Sequence, residues 1–519
     1  DPSRPEDLNP LRVALQNGYL FVGANIDPLD WAKPGADVIA RRMVEQAEKG
    51  GRIVLLHDGG GDRSQTVKAL HIAVPELRKR GYRFVTLEQY MGLTTPELVE
   101  SLGVKEQALA WGNLSVARAR SWGWDVLSVL FFGCTILAIV RVVMLGILTL
   151  VQAKREVAPR PKDFSPLVTI LVPAFNEGKV IERTVTSVLG TGYDNVEVLV
   201  IDDGSTDDTA EVVRALMAHE PRVRLLQKAN GGKANASNAG LAEARGEIVV
   251  AVDADTIIMP EAIERLVAHF VDPKVTAVCG NVEVGNVNSW LTRFQAIEYV
   301  TSQNFDRRAF AILNSISVVP GALGAWRRAA VQAVGGYSHD TLTEDADLTL
   351  TVLRNGGRIA YEPRSFGRTE APETVSALLK QRFRWTYGTY QCLFKHRKAF
   401  FRGTLGWFGL PNMVVFQVVF AALSPIGDLV MVLSLIRGDF SAFAAGYVAF
   451  LLMDVCGSIL AFTLDEKPLR WLWMLLIQRF TYRQMMYYVS LKAMLAALQG
   501  ARHGWRKLDR TGTVNAPKA

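Results

Sequence analysis

The chain has 519 residues, of which 49% are hydrophobic and 21% charged, with a net charge of +7; that is long enough for two or three units of ordinary domain size. Its basic residues fall mostly beside apolar stretches and in one short helix-like segment, which argues for membrane topology and diphosphate handling and against a nucleic-acid partner. Four cysteines (Cys134 and Cys456 in apolar runs, Cys279 at an expected strand, and Cys392) lack metal-ligand spacing and form no disulfide framework. The chain opens on Asp1-Pro2-Ser3, with no initiator Met and no signal sequence, and reads as a piece of a longer polypeptide.

Residues 1–95 are soluble in character, with a strand-like run Arg52–Leu56 and a helix-like stretch leading to Leu77. A linker over 96–123 leads to an apolar stretch, 124–151, long enough for a bilayer core of about 30 Å. Lys154, Arg155, Arg160 and Lys162 follow it and mark that side as cytoplasmic. Arg141 interrupts the stretch: either it snorkels, or the span ends near Val140.

Residues 165–400 alternate short apolar runs with helical patterns. The runs are Leu167–Val172, Val196–Ile201, Val223–Leu226, Ile248–Val252 and Val275–Val278. That alternation predicts an α/β domain with a mostly parallel sheet, whose ligands gather beyond the carboxyl ends of the strands. Two further spans follow, 408–436 and 440–464, joined at Arg437-Gly438-Asp439. The stretch 470–498 holds Arg479 and Arg483 near its middle. A charge at the bilayer centre costs roughly 3 kcal/mol, so an interfacial or re-entrant helix suits it better than one straight span. Residues 499–519, with Arg502, Arg506, Lys507 and Arg510, read as a cytoplasmic tail. Asp428 and Asp454 inside the apolar spans call for a polymer-lining or an inter-helix role.

The central block carries acidic residues at the ends of its strands. Asp202-Asp203-Gly204-Ser205 follows one strand, and Asp253-Ala254-Asp255 follows another. Oxygen ligands with one residue between them suit Mg²⁺ or Mn²⁺, which in turn binds a diphosphate that bare carboxylates would repel. Asp202 and Ser205 also suit a turn and a helix cap.

These residues stand in an order that resembles the family 2 inverting glycosyltransferases, in particular the processive synthases of cellulose, chitin, hyaluronan and poly-N-acetylglucosamine. The resemblance covers about Pro166 to Trp385 and implies a GT-A-type nucleotide-sugar-binding fold. Val172-Pro173-Ala174-Phe175-Asn176-Glu177 resembles the first strand-to-loop segment, which implies a nucleotide contact for Glu177. Asp203 matches the carboxylate at the uracil end of the donor, and Asp253 and Asp255 match the Asp-x-Asp that holds donor and metal. Thr343-Glu344-Asp345 matches the motif whose aspartate is the catalytic base. Gln381-Arg382-Phe383-Arg384-Trp385 matches the signature of processive members. Inversion is one in-line displacement and needs a single base, Asp345. The leaving diphosphate needs positive charge, from the metal, Arg382, Arg384 and Lys233 of Asn230-Gly231-Gly232-Lys233. Trp385 offers a face for the acceptor sugar. Pro320–Ala325 stands where relatives carry a small-residue acceptor loop, here without the cysteine some of them have.

Near the amino terminus, Asn25-Ile26-Asp27-Pro28-Leu29-Asp30-Trp31 and Leu55-Leu56-His57-Asp58 resemble the last two motifs of polysaccharide deacetylases. The resemblance implies the carboxyl-terminal part of a (β/α) barrel, with Asp27 orienting catalytic groups and His57 as general acid. The zinc-ligating motifs of that family are absent from this sequence, so no deacetylation is expected of the chain as it stands. A deacetylase joined to a synthase favours an N-acetylated polymer and UDP-N-acetylglucosamine as donor. The expectation is therefore a multi-pass membrane synthase acting on a UDP-sugar and a growing polysaccharide, with the transferase cytoplasmic and the deacetylase-like part outside. A cellulose- or hyaluronan-type synthase is the alternative, as is a non-processive enzyme acting on a lipid acceptor.

Overall fold

The computed structural model describes residues 22–59, 61–92, 104–155, 160–437, 440–500 and 512–514. The chain divides into two compact units, Asp1–Leu130 and Phe131–Ala519. The basic residues Arg502, Arg506, Lys507 and Arg510 of the expected tail, and Gly438 and Asp439, lie outside the described residues.

In the first unit, helices Ala36–Glu48 and Ser64–Lys79 pack through Ile39, Met43 and Ala47 against Ala69, Ala73 and Leu77. The strand expected over Arg52–Leu56 is reduced to a single parallel bridge between Ile26 and Val54. An isolated pair of strands is marginal in water without further strands beside it, and the described residues of this unit supply one bridge. Helix Val104–Ala153 begins inside the segment read as a linker.

The second unit is built on an eight-stranded sheet in the order β3-β2-β1-β4-β7-β6-β8-β5. Its strands are β1 Val168–Ala174, β2 Val196–Asp202, β3 Val223–Gln227, β4 Ile248–Ala251, β5 Ile257–Ile258, β6 Val275–Val284, β7 Gly324–Arg327 and β8 Arg358–Thr369. Strands β3, β2, β1 and β4 are parallel, as are β6 and β8, whereas β7 runs antiparallel between β4 and β6, and β5 antiparallel to β8. Every residue of β2 is buried, as are all but Pro173 of β1, which is why both read as near-continuous Val/Ile/Leu runs. The register Ala174↔Asp202 brings the carboxyl ends of β1 and β2 level.

Three helices are long and apolar enough to cross a membrane among the described residues: Trp122–Ala153, Leu405–Ser434 and Ala444–Leu464. The second contains π-helical turns at Leu405–Gly409 and Met413–Val419. The stretch 470–498 forms two helices, Met474–Phe480 and Tyr482–Leu498, broken at Thr481. Its arginines face protein groups: Arg479 Nε donates to Tyr447 Oη at 2.6 Å and its guanidinium lies 3.9 Å from Asp428, while that of Arg483 lies 5.7 Å from the centre of the Phe450 ring. Asp428 also accepts from Gln484 at 3.1 Å, an inter-helix contact.

Arg141 neither snorkels nor ends the helix. Its guanidinium donates to Asp306 at 2.6 Å and Asn412 at 2.8 Å and lies 4.7 Å from the centre of the Phe416 ring. Arg160, counted above toward topology, is bound to Glu264 at 2.8 Å. A buried pair, Arg308 with Asp465 at 2.7 Å, also takes Gln152 at 3.1 Å and so ties the end of the first span to the end of the third. Removing one partner leaves a buried charge uncompensated. Arg308→Leu is therefore expected to cost roughly 3 kcal/mol, read as a lowered melting temperature in detergent.

Candidate active site

The sheet delivers its acidic residues to one edge. Asp203 follows β2, Asp253 and Asp255 follow β4, and the loop after β1 carries Asn176 and Glu177. Asn176 has φ 53°, a left-handed conformation that asparagine tolerates. Its N–H donates to Ser205 Oγ at 2.9 Å, and its Oδ1 accepts from the Thr206 N–H at 2.7 Å, which locks the β1 and β2 loops together. Ser205 N–H in turn donates to Asp202 Oδ1 at 2.9 Å, so Asp202 and Ser205 act as turn residues.

Asp203 is 3% exposed. It accepts the Gly231 and Gly232 N–H groups at 3.0 and 2.7 Å and Lys228 Nζ at 2.6 Å. It thereby holds the loop that ends at Lys233, first residue of helix Lys233–Glu243. Lys233 Nζ lies 2.6 Å from Asp253 Oδ1 and 3.4 Å from Glu344 Oε1. Burial opposes its charge, but Asp253, Glu344 and Asp345 outweigh that and raise its pKa, so the ammonium stays protonated.

Asp345 sits in the first turn of helix Glu344–Arg354. Its Oδ1 accepts the Ala346 N–H at 2.8 Å and its Oδ2 the Gly321 N–H at 3.4 Å. Burial first, then the neighbouring Glu344 charge, push its carboxyl up to about 6, with Lys233 opposing. A Cβ on Gly321 would meet Lys233 Nζ at 2.9 Å, so the ammonium would have to shift.

The expected processive signature lies on helix Val375–Lys395. Of the two arginines assigned above to the diphosphate, Arg382 is committed elsewhere: it donates to Glu298 at 2.8 Å and to Gln381 at 2.8 Å. Its guanidinium also lies 4.2 Å from the centre of the Trp385 ring. Glu298 ends helix Trp290–Glu298 and faces it across the site, a partner that sequence reading could not supply. Arg384 and Trp385 line the cavity.

One cavity of about 640 Å³ connects these groups. Glu177, Asp203, Asp253 and Asp255 lie on its walls with Lys233 and Asp345, and so do Trp385, Asn412, Phe416, Gln417 and Ser490. The last four come from the apolar helix Leu405–Ser434 and from helix Tyr482–Leu498. Asp306 also lines it, a position without any sequence signal.

The described residues contain no cluster of three or more His, Cys, Asp or Glu side chains that could hold a metal. They do fit the mode in which Mg²⁺ takes one or two carboxylates and completes its shell with water and substrate phosphates. Asp253 and Asp255 both reach the cavity, and a cation, Lys233 Nζ, already rests on Asp253.

In the first unit, the carboxylate facing His57 is Asp30 and not Asp27. Asp30 is 1% exposed and its Oδ1 lies 2.8 Å from His57 Nδ1; its Oδ2 accepts from the His57 N–H and Thr66 Oγ1, both at 3.0 Å. Burial pushes that carboxyl up, but the bonds from His57 and Thr66 outweigh it and leave it below its usual range. Asp27 instead accepts the Leu29 N–H at 2.9 Å as a turn residue.

Residues 165–388 match the family described as "Glycosyltransferase like family 2". Over 229 residues the chain is 34% identical to the poly-beta-1,6-N-acetyl-D-glucosamine synthase of Staphylococcus aureus (strain COL), covering 44% of this chain and 56% of that protein. The protein of the same name from Staphylococcus epidermidis is 32% identical over 229 residues, with the same coverage. The chain thus spans little more than half the length of these curated relatives. A solved structure of the mannosyltransferase PcManGT from Pyrobaculum calidifontis, in complex with GDP-Man and Mn²⁺, aligns with TM-score 0.48 and 20% identity, covering 73% of this chain and 98% of that one. The block of motifs from the first strand loop to Trp385 lies within the stretch that matches this glycosyltransferase-like family 2.

Proposed function

We propose that the protein is a processive inverting glycosyltransferase that polymerises an N-acetylhexosamine from a UDP-sugar, UDP-N-acetylglucosamine, into a membrane-exported polysaccharide. The observation that carries this reading is the single cavity running from Asp203, Asp253 and Asp345 past Trp385 to polar and aromatic residues on apolar helices. A donor site and a lipid-embedded path that share one space suit a product that lengthens and leaves through the membrane. The likeness to the staphylococcal synthases supports the N-acetylated sugar. So does the Asp30–His57 pair, in which a buried carboxylate orients an imidazole as a deacetylase would require. On this reading residues 1–95 are the carboxyl-terminal part of a deacetylase domain, 165–400 are the transferase, and Lys154 and Arg155 keep the transferase on the cytoplasmic side.

In the proposed reaction Glu177 and Asp203 bound the nucleotide end of the cavity and Asp253 its sugar-diphosphate end. Asp345 takes the proton from the acceptor hydroxyl as that oxygen attacks the anomeric carbon and the nucleoside diphosphate departs. Lys233 and Arg384 place positive charge where the diphosphate charge grows. Trp385, steadied by Arg382 on its ring, lines the cavity and offers the acceptor a stacking surface there. A divalent cation, Mg²⁺ or Mn²⁺, held by Asp253 and Asp255 would neutralise the diphosphate.

The test is incorporation of label from UDP-N-acetylglucosamine and from UDP-glucose by the purified protein, with product length read on a gel. Long polymer from the first donor alone is expected; incorporation from UDP-glucose alone would sink the sugar assignment, and single additions would sink processivity. A pH profile adds a second check. With the Asp345 carboxyl near 6, the base is protonated below that pH, so kcat/KM should fall about tenfold per unit there and level off above it.

A further inference from the structure

Helix Val375–Lys395 bears the Gln381–Trp385 motif in its first half, and its second half lies against the segment that carries Asp345. Residues 388, 391, 392 and 395 share one helical face. Gly388 meets Thr343 so closely that a Cβ there would stand 2.6 Å from the Thr343 side chain. Gln391 Oε1 accepts the Leu342 N–H at 2.9 Å, and Cys392 Sγ lies 3.6 Å from Thr343 Oγ1.

The face ends in a buried charged network. Asp347, 1% exposed, accepts Lys395 Nζ at 2.7 Å on one oxygen and His396 Nε2 at 2.7 Å on the other. His396 is fully buried, and Arg354 NH1 donates to its Nδ1 at 3.0 Å. A guanidinium can only donate, so Nδ1 accepts and the ring proton sits on Nε2, directed at Asp347. Lys395 also binds Ser338 Oγ at 2.8 Å and Asp340 at 3.0 Å. By contrast, the side chain of Asp345 is restrained by its neighbour's N–H and by one long bond of 3.4 Å from Gly321. Charge-assisted bonds are roughly twice as strong as neutral ones, so the firm anchor of this helical turn is Asp347.

We propose that Asp347, gripped by His396 and Lys395, is a positioning residue for sugar transfer. It fixes the base-bearing turn against the helix that carries Trp385, and so sets where Asp345 meets the acceptor. The inference rests on Asp345 being the base. A misplacement of about 1 Å in such a group costs roughly 100-fold in rate.

The experiment compares wild type, Asp345→Asn, His396→Gln and His396→Leu in the full chain, purified in lipid nanodiscs, for kcat, donor KM and folded fraction. Glutamine keeps an N–H that reaches Asp347, whereas leucine does not. His396→Leu is expected to lower kcat about 100-fold per folded molecule with donor KM within about twofold. His396→Gln should recover at least about tenfold of that loss. If His396→Leu keeps the wild-type kcat, or both histidine variants are equally slow, while Asp345→Asn abolishes transfer, the positioning role is overturned and the base assignment stands. If Asp345→Asn transfers sugar normally, both are overturned. Should His396→Leu fail to accumulate, Lys395→Met removes the other donor and is read by the same split between kcat and KM.

Discussion

Asp345→Asn is expected to lower the rate of sugar transfer about 1,000-fold, a barrier increase of about 4 kcal/mol, while donor KM changes little. The substitution keeps shape and leaves one oxygen to accept the Ala346 N–H, giving up the longer bond from the Gly321 N–H, and it removes the carboxylate placed to receive the acceptor proton. Stability should move the other way. The carboxyl is pushed up to about 6 by burial and by Glu344, so the unfolded chain gives up this proton at lower pH than the folded one. Folded-state stability therefore falls as pH rises from about 4 to 6, the window set by its ordinary and its raised pKa. Replacing Asp345 relieves that cost, so the variant should melt at a higher temperature at pH 7 and at an unchanged one near pH 3. Loss of transfer together with a raised melting temperature would separate chemistry from misfolding. A variant that keeps more than a tenth of the wild-type rate would rule Asp345 out as the base.

Asp255→Asn is expected to raise the dissociation constant for the UDP-sugar about 100-fold in the presence of Mg²⁺ or Mn²⁺ and to leave metal-free binding unchanged. Asp255 is 5% exposed, with Oδ1 accepting from Thr369 at 3.3 Å and Thr256 at 3.4 Å. An asparagine retains those two contacts but lacks the charge a hard cation needs, and even indirect supports of a metal site cost 10–100-fold when removed. Isothermal titration with and without EDTA reads the difference. Equal donor affinity with and without metal in the wild-type protein would remove the cation from the proposal. Chelation should also stop transfer, and readdition of either cation should restore it.

The parts of this protein that could be read along the chain are those that depend on local pattern. Strands β1, β2 and β4 are apolar runs bounded by turns, because each is buried where helices and neighbouring strands cover it, and the edge strand β3 keeps a shorter apolar run, half-buried. β7 and β8 were not anticipated. Gly324–Arg327 is too short to carry a period, and Arg358–Thr369 mixes Glu362, Arg364 and Arg368 into a strand whose pairing with β6 supplies what its composition does not.

The candidate site divides in the same way. Asp203, Asp253, Asp255, Asp345 and the Gln381–Trp385 run were visible because each is a short motif whose spacing follows from a strand end or a helix start. Tertiary structure decided what each motif faces. Only the fold shows that Arg382 answers Glu298, 84 residues away, and that Asp30, not Asp27, meets His57. Arg141 likewise finds Asp306 across 165 residues of chain. Such pairs form because a charge removed from water must find its partner wherever packing brings one within about 3 Å. The sequence by itself determined which chemistry the chain carries, through residue types at fixed short spacing; the tertiary structure alone decided which partner each charge meets and which of them line one cavity.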